Sequence, residues 1–183
     1  MDMNYYGAKE LASSFRTVRK NTIIIAEEIG EQHYGFRPAA GSRCVAETLF
    51  HIAVTPRAAH QIHGVEHLAD LAKFNFWEFF SSRLEMEKQP HSKEHLVALL
   101  GEEGERFAGW LDTLTDEFLA ERVATPPLGT EKSRFEMLLS PKEHEMHHRA
   151  QLMVIERILG ITPHITRQLK ARMEAMQKAK AGA

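Results

Sequence analysis

The chain has 183 residues, 43% of them hydrophobic and 26% charged, with a formal net charge of -2 at pH 7. That length suits one domain, which buries roughly two-thirds of the unfolded surface and needs neither disulfide nor metal merely to fold. The near-neutral charge offers no concentrated basic field, which argues against nucleic acid as the main partner.

A single cysteine, Cys44, permits no internal disulfide and fits a reducing compartment. No apolar run approaches the roughly 20 residues that cross a bilayer. The opening MDMNYYGAKE has neither the basic start nor the apolar stretch of a signal peptide. A cytoplasmic protein without membrane contact is therefore expected. Eleven histidines are the unusual feature of the composition.

Helical periodicity dominates, and no segment alternates with period two. Leu11, Phe15, Val18, Thr22, Ile25 and Ile29 recur at steps of three and four, predicting a first helix over 8–29 with Gly30 as its cap. The stretch 31–42 reads as a loop, and Ser42 as the N-cap of a second helix. That helix is expected from Arg43 to about Lys73, kinked or divided at Pro56. Residues 74–91 hold five aromatics, Phe74, Phe76, Trp77, Phe79 and Phe80. Core packing is the favoured reading of them, over an apolar substrate pocket or a dimer face. Ser92 caps a third helix that runs through Leu111 and Leu114 to Phe118. The segment 125–132 is the clearest loop. Capping signals at Ser133 and Ser140-Pro141 then start a fourth helix, or start and restart it, ending near Leu159 with Gly160 beyond. A final helix follows Pro163 and uses Ile165, Leu169, Met173 and Met176, with its last residues fraying. The expected architecture is all-α: a four-helix bundle over 1–160, with an additional C-terminal helix and tail over 161–183.

The strongest local signal is Glu143-His144-Glu145-Met146-His147-His148-Arg149-Ala150-Gln151. His144 and His148 lie about 40° apart round a helix and about 6 Å apart along it, so both rings can reach one ion. Leu152, Ile155 and Leu159 continue their stripe, which turns both rings towards the core. The spacing leaves two readings open, a shared metal or a hydrogen-bonded core pair. His147 lies to the flank, in a supporting position. On the second helix His51 shares an apolar line with Val54, Ala58, Ile62, Val65 and Ala69, and is the inward histidine able to complete a trio. His60, His63 and His67 fall roughly 120° to 180° round from it and read as a solvated face. Cys44 is about 10 Å along the axis from His51, too far to share its ion, and reads as a small buried residue.

At this point the chain resembles the DinB/YfiT-like superfamily of metal-binding helical bundles. The matching stretches are Phe36-Arg37-Pro38-Ala39-Ala40-Gly41-Ser42, Glu47-Thr48-Leu49-Phe50-His51-Ile52, and His144 to Leu152, within residues 5 to 160. The family pattern is a histidine on the second helix and H-x-x-H-H-R-G-Q on the fourth. Here Ala150 replaces the usual glycine, Arg43 stands where many members have tryptophan, and Pro141 interrupts the fourth helix. The resemblance implies a bundle with a long crossover and zinc or nickel on His51, His144 and His148. It also implies frequent homodimers and, in members with assigned activity, thiol-dependent transferases or isomerases using bacillithiol, mycothiol or glutathione.

Three neutral imidazoles leave an ion its full charge and an open position, as in catalytic sites. The first functional expectation is transfer of a low-molecular-weight thiol to a small-molecule substrate. Glu47 would serve as base or ring-orienting group, and Arg149 and Gln151 would fix the rings. Arg37, Arg43 and Arg149 are available to hold the thiol's carboxylates. The alternatives are metal-assisted hydrolysis and a non-catalytic metal- or ligand-binding role in a stress response.

Overall fold

The predicted stripe of the first helix is buried along α1, Ala8–Glu28, in the computed structural model, which describes residues 6–126 and 129–181. Phe15 and Ile25, near its two ends, are 1% and 0% exposed. Gly30 is not a left-handed cap, since its φ is -63°. The ammonium of Lys93 instead donates to the terminal carbonyls of Glu27 (2.5 Å) and Ile29 (3.0 Å). A cation on the last turn serves the same orphan carbonyls a glycine cap would serve.

The second helix starts later than Ser42 suggests. Its cap is Cys44, whose sulfur accepts from Glu47 N, while the Glu47 carboxylate accepts from Cys44 N at 2.9 Å. Ser42 instead closes its own loop, donating to the Ala39 carbonyl at 2.7 Å. Helix α2, Val45–Val54, passes into α3, Pro56–His60, through Thr55 in helical conformation. Proline has no N–H to give the carbonyl four residues back. That carbonyl, of Ile52, accepts from Arg19 Nη2 at 3.2 Å.

Beyond His60 the helix widens into a π-turn over Gln61–Val65 and stops, with Glu66 N reaching Gln61 O at 2.9 Å. The expected continuation to Lys73 fails there. Val65 is 60% exposed and Ala69 is exposed, so the apolar line from His51 ends at Ile62.

Next come α4, Phe76–Glu87, and α5, Lys93–Leu111, the latter capped by Ser92 as predicted. The third helix ends at Leu111 rather than Phe118. Thr115 caps a separate α6, Asp116–Ala120, by accepting from Phe118 N at 3.2 Å, and two acids follow it in the first turn. The expected loop over 125–132 contains part of a hairpin. Strand β1, Arg122–Thr125, pairs antiparallel with β2, Thr130–Ser133, Arg122 opposite Ser133. Positions 127 and 128 of that loop lie outside the described residues. Ser133 then caps α7, Arg134–Leu138, and α8, Ser140–Ile158, follows with Pro141 in its first turn. Leu139 between them keeps helical angles, so the fourth helix both starts at 133 and restarts at Pro141. Gly160, at φ +79°, turns the chain out of α8 as expected.

The bundle is built from α1, α2–α3, α5 and α8. Phe15 on α1 packs edge-on against Phe107 late in α5, while Ile25 and Ile29 share a cluster with Leu96 and Leu100 early in it. The two helices are therefore antiparallel. Leu49, Ile52, Leu152 and Ile155 bring α2 and α8 into that same cluster. The aromatic run joins neither of the two core clusters, although Phe74 is buried. Phe76 and Trp77 are 43% and 79% exposed, and the four phenylalanine rings pack on one another.

The last helix, α9, His164–Ala181, meets the bundle at its first turns. His164 is buried, with Nε2 3.1 Å from Asn21 Oδ1, and Arg167 pairs with Glu28. Leu169, Met173 and Met176 are exposed. Residues 178–181, expected to fray, are helical, and 182–183 lie outside the described residues. No described helix is long and apolar enough to cross a membrane.

Candidate metal centre

Helices α2 and α8 bring three imidazoles together. His51 lies in the last turn of α2, and His144 and His148 lie one turn apart near the start of α8. Their ligating atoms lie within 4.8 Å of one another, the one such group of three among the described residues. His144 Nε2 is 3.1 Å from His51 Nε2 and 3.2 Å from His148 Nε2. Nitrogens at about 2.0–2.1 Å from a tetrahedral zinc stand about 3.3 Å apart. Pro141 therefore does not displace His144, because the chain stays helical through Leu139.

The proton inventory of the trio explains why a cation fits. His148 Nδ1 lies 2.9 Å from Gln151 Oε1, an atom that only accepts, so the hydrogen is on Nδ1. His51 Nδ1 lies 3.2 Å from Glu87 Oε2, and a carboxylate likewise favours a hydrogen there. Both rings consequently present a bare lone pair at Nε2, on either side of His144 Nε2. One hydrogen on His144 can serve only one of them. At least one of the two flanking lone pairs is left without a donor, a deficit that a cation between the rings would remove. Burial and the neighbouring His148 and His51 push the pKa of His144 down to about 4. Burial also lowers that of His148, against the pull of Gln151. Both rings are thus neutral at pH 7, the form that ligates metal. His144 Nδ1 is buried with no hydrogen-bond partner.

Glu87 closes the site from the end of α4. It is 8% exposed, touches His51 through Oε2 and accepts from Arg43 Nε at 2.5 Å through Oε1. Burial raises its pKa, but the bonds from His51 and Arg43 outweigh that and hold it below the usual carboxylate range. It is the functional residue that sequence reasoning missed. Nothing local distinguishes Glu87 from Glu78 or Glu85; only its contact with α2 does.

A cleft of about 960 Å³ opens beside the trio, lined by Arg37, Arg43, Glu47, Glu87, His148 and Gln151 among others. Glu47 is engaged by Arg37 through both oxygens and by Cys44 N. The Arg37 bonds keep its pKa low. Gln151 touches His148 and also reaches His147, with Nε2 3.2 Å from His147 Nε2. That amide thus links His147 to His148. Arg149 is half-buried, is not among the residues lining the cleft, and has a buried Nε with no partner. Cys44 is a free, buried thiol.

Of the three histidines expected on a solvated face, His60 and His63 lie elsewhere. The π-turn carries His63 into the interior, 2% exposed, where Arg134 Nη1 reaches its Nδ1 at 3.0 Å. Burial, with the charge of Arg134, pushes its pKa to about 4. His60 packs edge-on against Trp110, and of these three only His67, paired with Glu121, is exposed.

Glu87→Gln keeps the shape of the side chain and removes the charge behind His51. We expect metal affinity to fall about 10- to 100-fold, as for other partners of ligating histidines. Chelator competition measures it, and an unchanged affinity would mean Glu87 does not tune the site.

The family model for the DinB family matches residues 1–179. The match runs past residue 160, where the resemblance read from the motifs ended, into α9. An uncharacterized protein of Bacillus subtilis, YjoA, is 26% identical over 156 residues, covering 85% of this chain and 92% of its own. The crystal structure of YjoA, described as DinB-like, aligns with a TM-score of 0.61 at 25% identity, covering 84% of this chain and 94% of its own. YfiT, also from Bacillus subtilis, aligns with a TM-score of 0.69 at 18% identity over 88% of this chain and 92% of its own. It is described as a probable metal-dependent hydrolase with an unusual four-helix bundle topology.

Proposed function

This chain belongs to the DinB family, and from that premise we propose that it is a metal-dependent hydrolase of small molecules. Its ion, zinc or nickel, would be held by His51, His144 and His148. The observation that carries the reading is the meeting of three Nε2 atoms beside a cleft that contains two carboxylates. Three protein ligands leave room for water or substrate. When bound, a divalent ion supplies a Lewis acid that makes water acidic enough to ionise near neutrality. Glu87 keeps His51 in the Nδ1–H form, and Gln151 does the same for His148. Glu47, on the cleft wall, is the candidate base, freed when Arg37 turns from it to the substrate. YfiT's own description agrees in reaction class, though a likeness at 18% identity speaks for the fold alone.

Thiol transfer is the second reading, supported by the presence of Arg37 and Arg43 in the cleft wall. Both guanidiniums are engaged, by Glu47 and Glu87 respectively, so the carboxylates of a thiol cofactor would compete with those pairs. Chromogenic esters, amides and phosphoesters, offered with and without small thiols, separate the readings. We expect metal-dependent turnover without thiol that is lost in His144→Ala. Turnover only with thiol would transfer the site to the transferase reading. No turnover in either condition would favour a binding protein.

A further inference from the structure

A second cavity, of about 180 Å³, lies between α3, α4 and α5 and shares no lining residue with the metal cleft. Its volume is below the roughly 300 Å³ at which pockets begin to take drug-sized ligands, so its guest must be small. Arg57, Arg83 and Arg106 line it, with Glu103 as the one carboxylate among the lining residues. Glu103 is 4% exposed and already doubly engaged. It accepts from Arg57 Nε at 2.9 Å and Nη2 at 2.7 Å, and Arg106 Nη1 lies 2.7 Å away. Arg83 forms no ion pair among the described residues. Its Nη1 donates to the Phe79 carbonyl one turn back, and its guanidinium lies 3.4 Å from the centre of the Phe79 ring. Its Nε is buried and donates to nothing. Burial and the charge of Arg57 push its pKa below the ordinary guanidinium value.

A half-buried cation facing like charges is costly until a counter-charge reaches it. We propose that this cavity binds a small oxyanion of the phosphate class, held by Arg83 together with Arg57 and Arg106. Guanidinium forks match such oxygens two at a time. The Phe79 ring fixes the plane of Arg83, and the Phe107 wall limits competing water. The site is independent of the proposed hydrolase reading.

Calorimetric titration of inorganic phosphate into the protein in low-salt buffer tests it. One site per chain is expected, weakened about tenfold or more in Arg83→Met and unchanged in His148→Ala, which lacks the metal site. Should Arg83→Met fail to fold, Arg106→Gln serves instead, since that side chain is 61% exposed and its loss should still weaken binding. Three results would overturn the proposal. These are no binding to the wild type, equal binding in the arginine variants, and loss of binding in His148→Ala, which would place phosphate on the metal.

Discussion

Replacing Arg19 with methionine is expected to destabilise the metal-free protein by about 3–5 kcal/mol, the cost of breaking a buried ion pair from one side. Arg19 is 3% exposed and Glu145 1%. Arg19 Nε lies 3.0 Å from both Glu145 oxygens, and Nη2 lies 2.9 Å from Oε2. The same guanidinium donates to Leu100 O at 2.8 Å and to Ile52 O at 3.2 Å. One side chain from α1 therefore binds α2, α5 and α8 at once. Gly104 leaves the space for it, since a Cβ there would come within 2.6 Å of Arg19 Cγ. In Arg19→Met the Glu145 carboxylate and the proline-orphaned Ile52 carbonyl are stranded without donors. Adding Glu145→Leu removes the stranded charge and should recover most of the loss, leaving about 1–3 kcal/mol for the unpaired carbonyl. Urea unfolding in the presence of chelator measures both variants. A single variant within about 1 kcal/mol of wild type would show that the pair does not hold the bundle.

His148→Ala is expected to lower metal affinity by two to three orders of magnitude. Structural zinc sites bind with about 10–16 kcal/mol over four ligands, or about 2.5–4 kcal/mol for each. At about 1.4 kcal/mol per tenfold, losing one ligand gives that range. His147→Ala is the control. Its ring meets the site through Gln151 and edge-on against His148, without joining the trio of ligating atoms, so its loss should cost far less. Chelator competition on untagged protein ranks the two variants. Equal losses would remove the distinction between ligand and support.

What was legible in the sequence is what local spacing determines. The α1 stripe is read directly from steps of three and four. His144 and His148 declare themselves because a helix brings residues four apart onto one face. His51 reads as inward from its apolar line with Val54, Ala58 and Ile62, and the family pattern joins it to His144 and His148. Other features depend on tertiary contacts. The second helix stops at a π-turn that buries His63 against Arg134, a residue 71 positions away. Four-residue strands such as β1 and β2 are too short for alternation to register. Cys44 was passed over as a cap because Ser42 is the commoner residue type, although Glu47 stands three residues after Cys44, at capping-box spacing. Glu87 lay in an aromatic-rich span whose propensities point nowhere, and its role exists only through contact with His51 and Arg43.

X-ray absorption at the metal edge, on protein purified without a histidine tag or chelating resin, tests the central claim most directly. Zinc or nickel near one equivalent per chain is expected, with the scattering of three imidazoles at about 2.0–2.1 Å and oxygen donors completing the shell. A spectrum with one imidazole or none, or a chain that takes up no transition metal when supplied with it, would contradict the three-histidine centre.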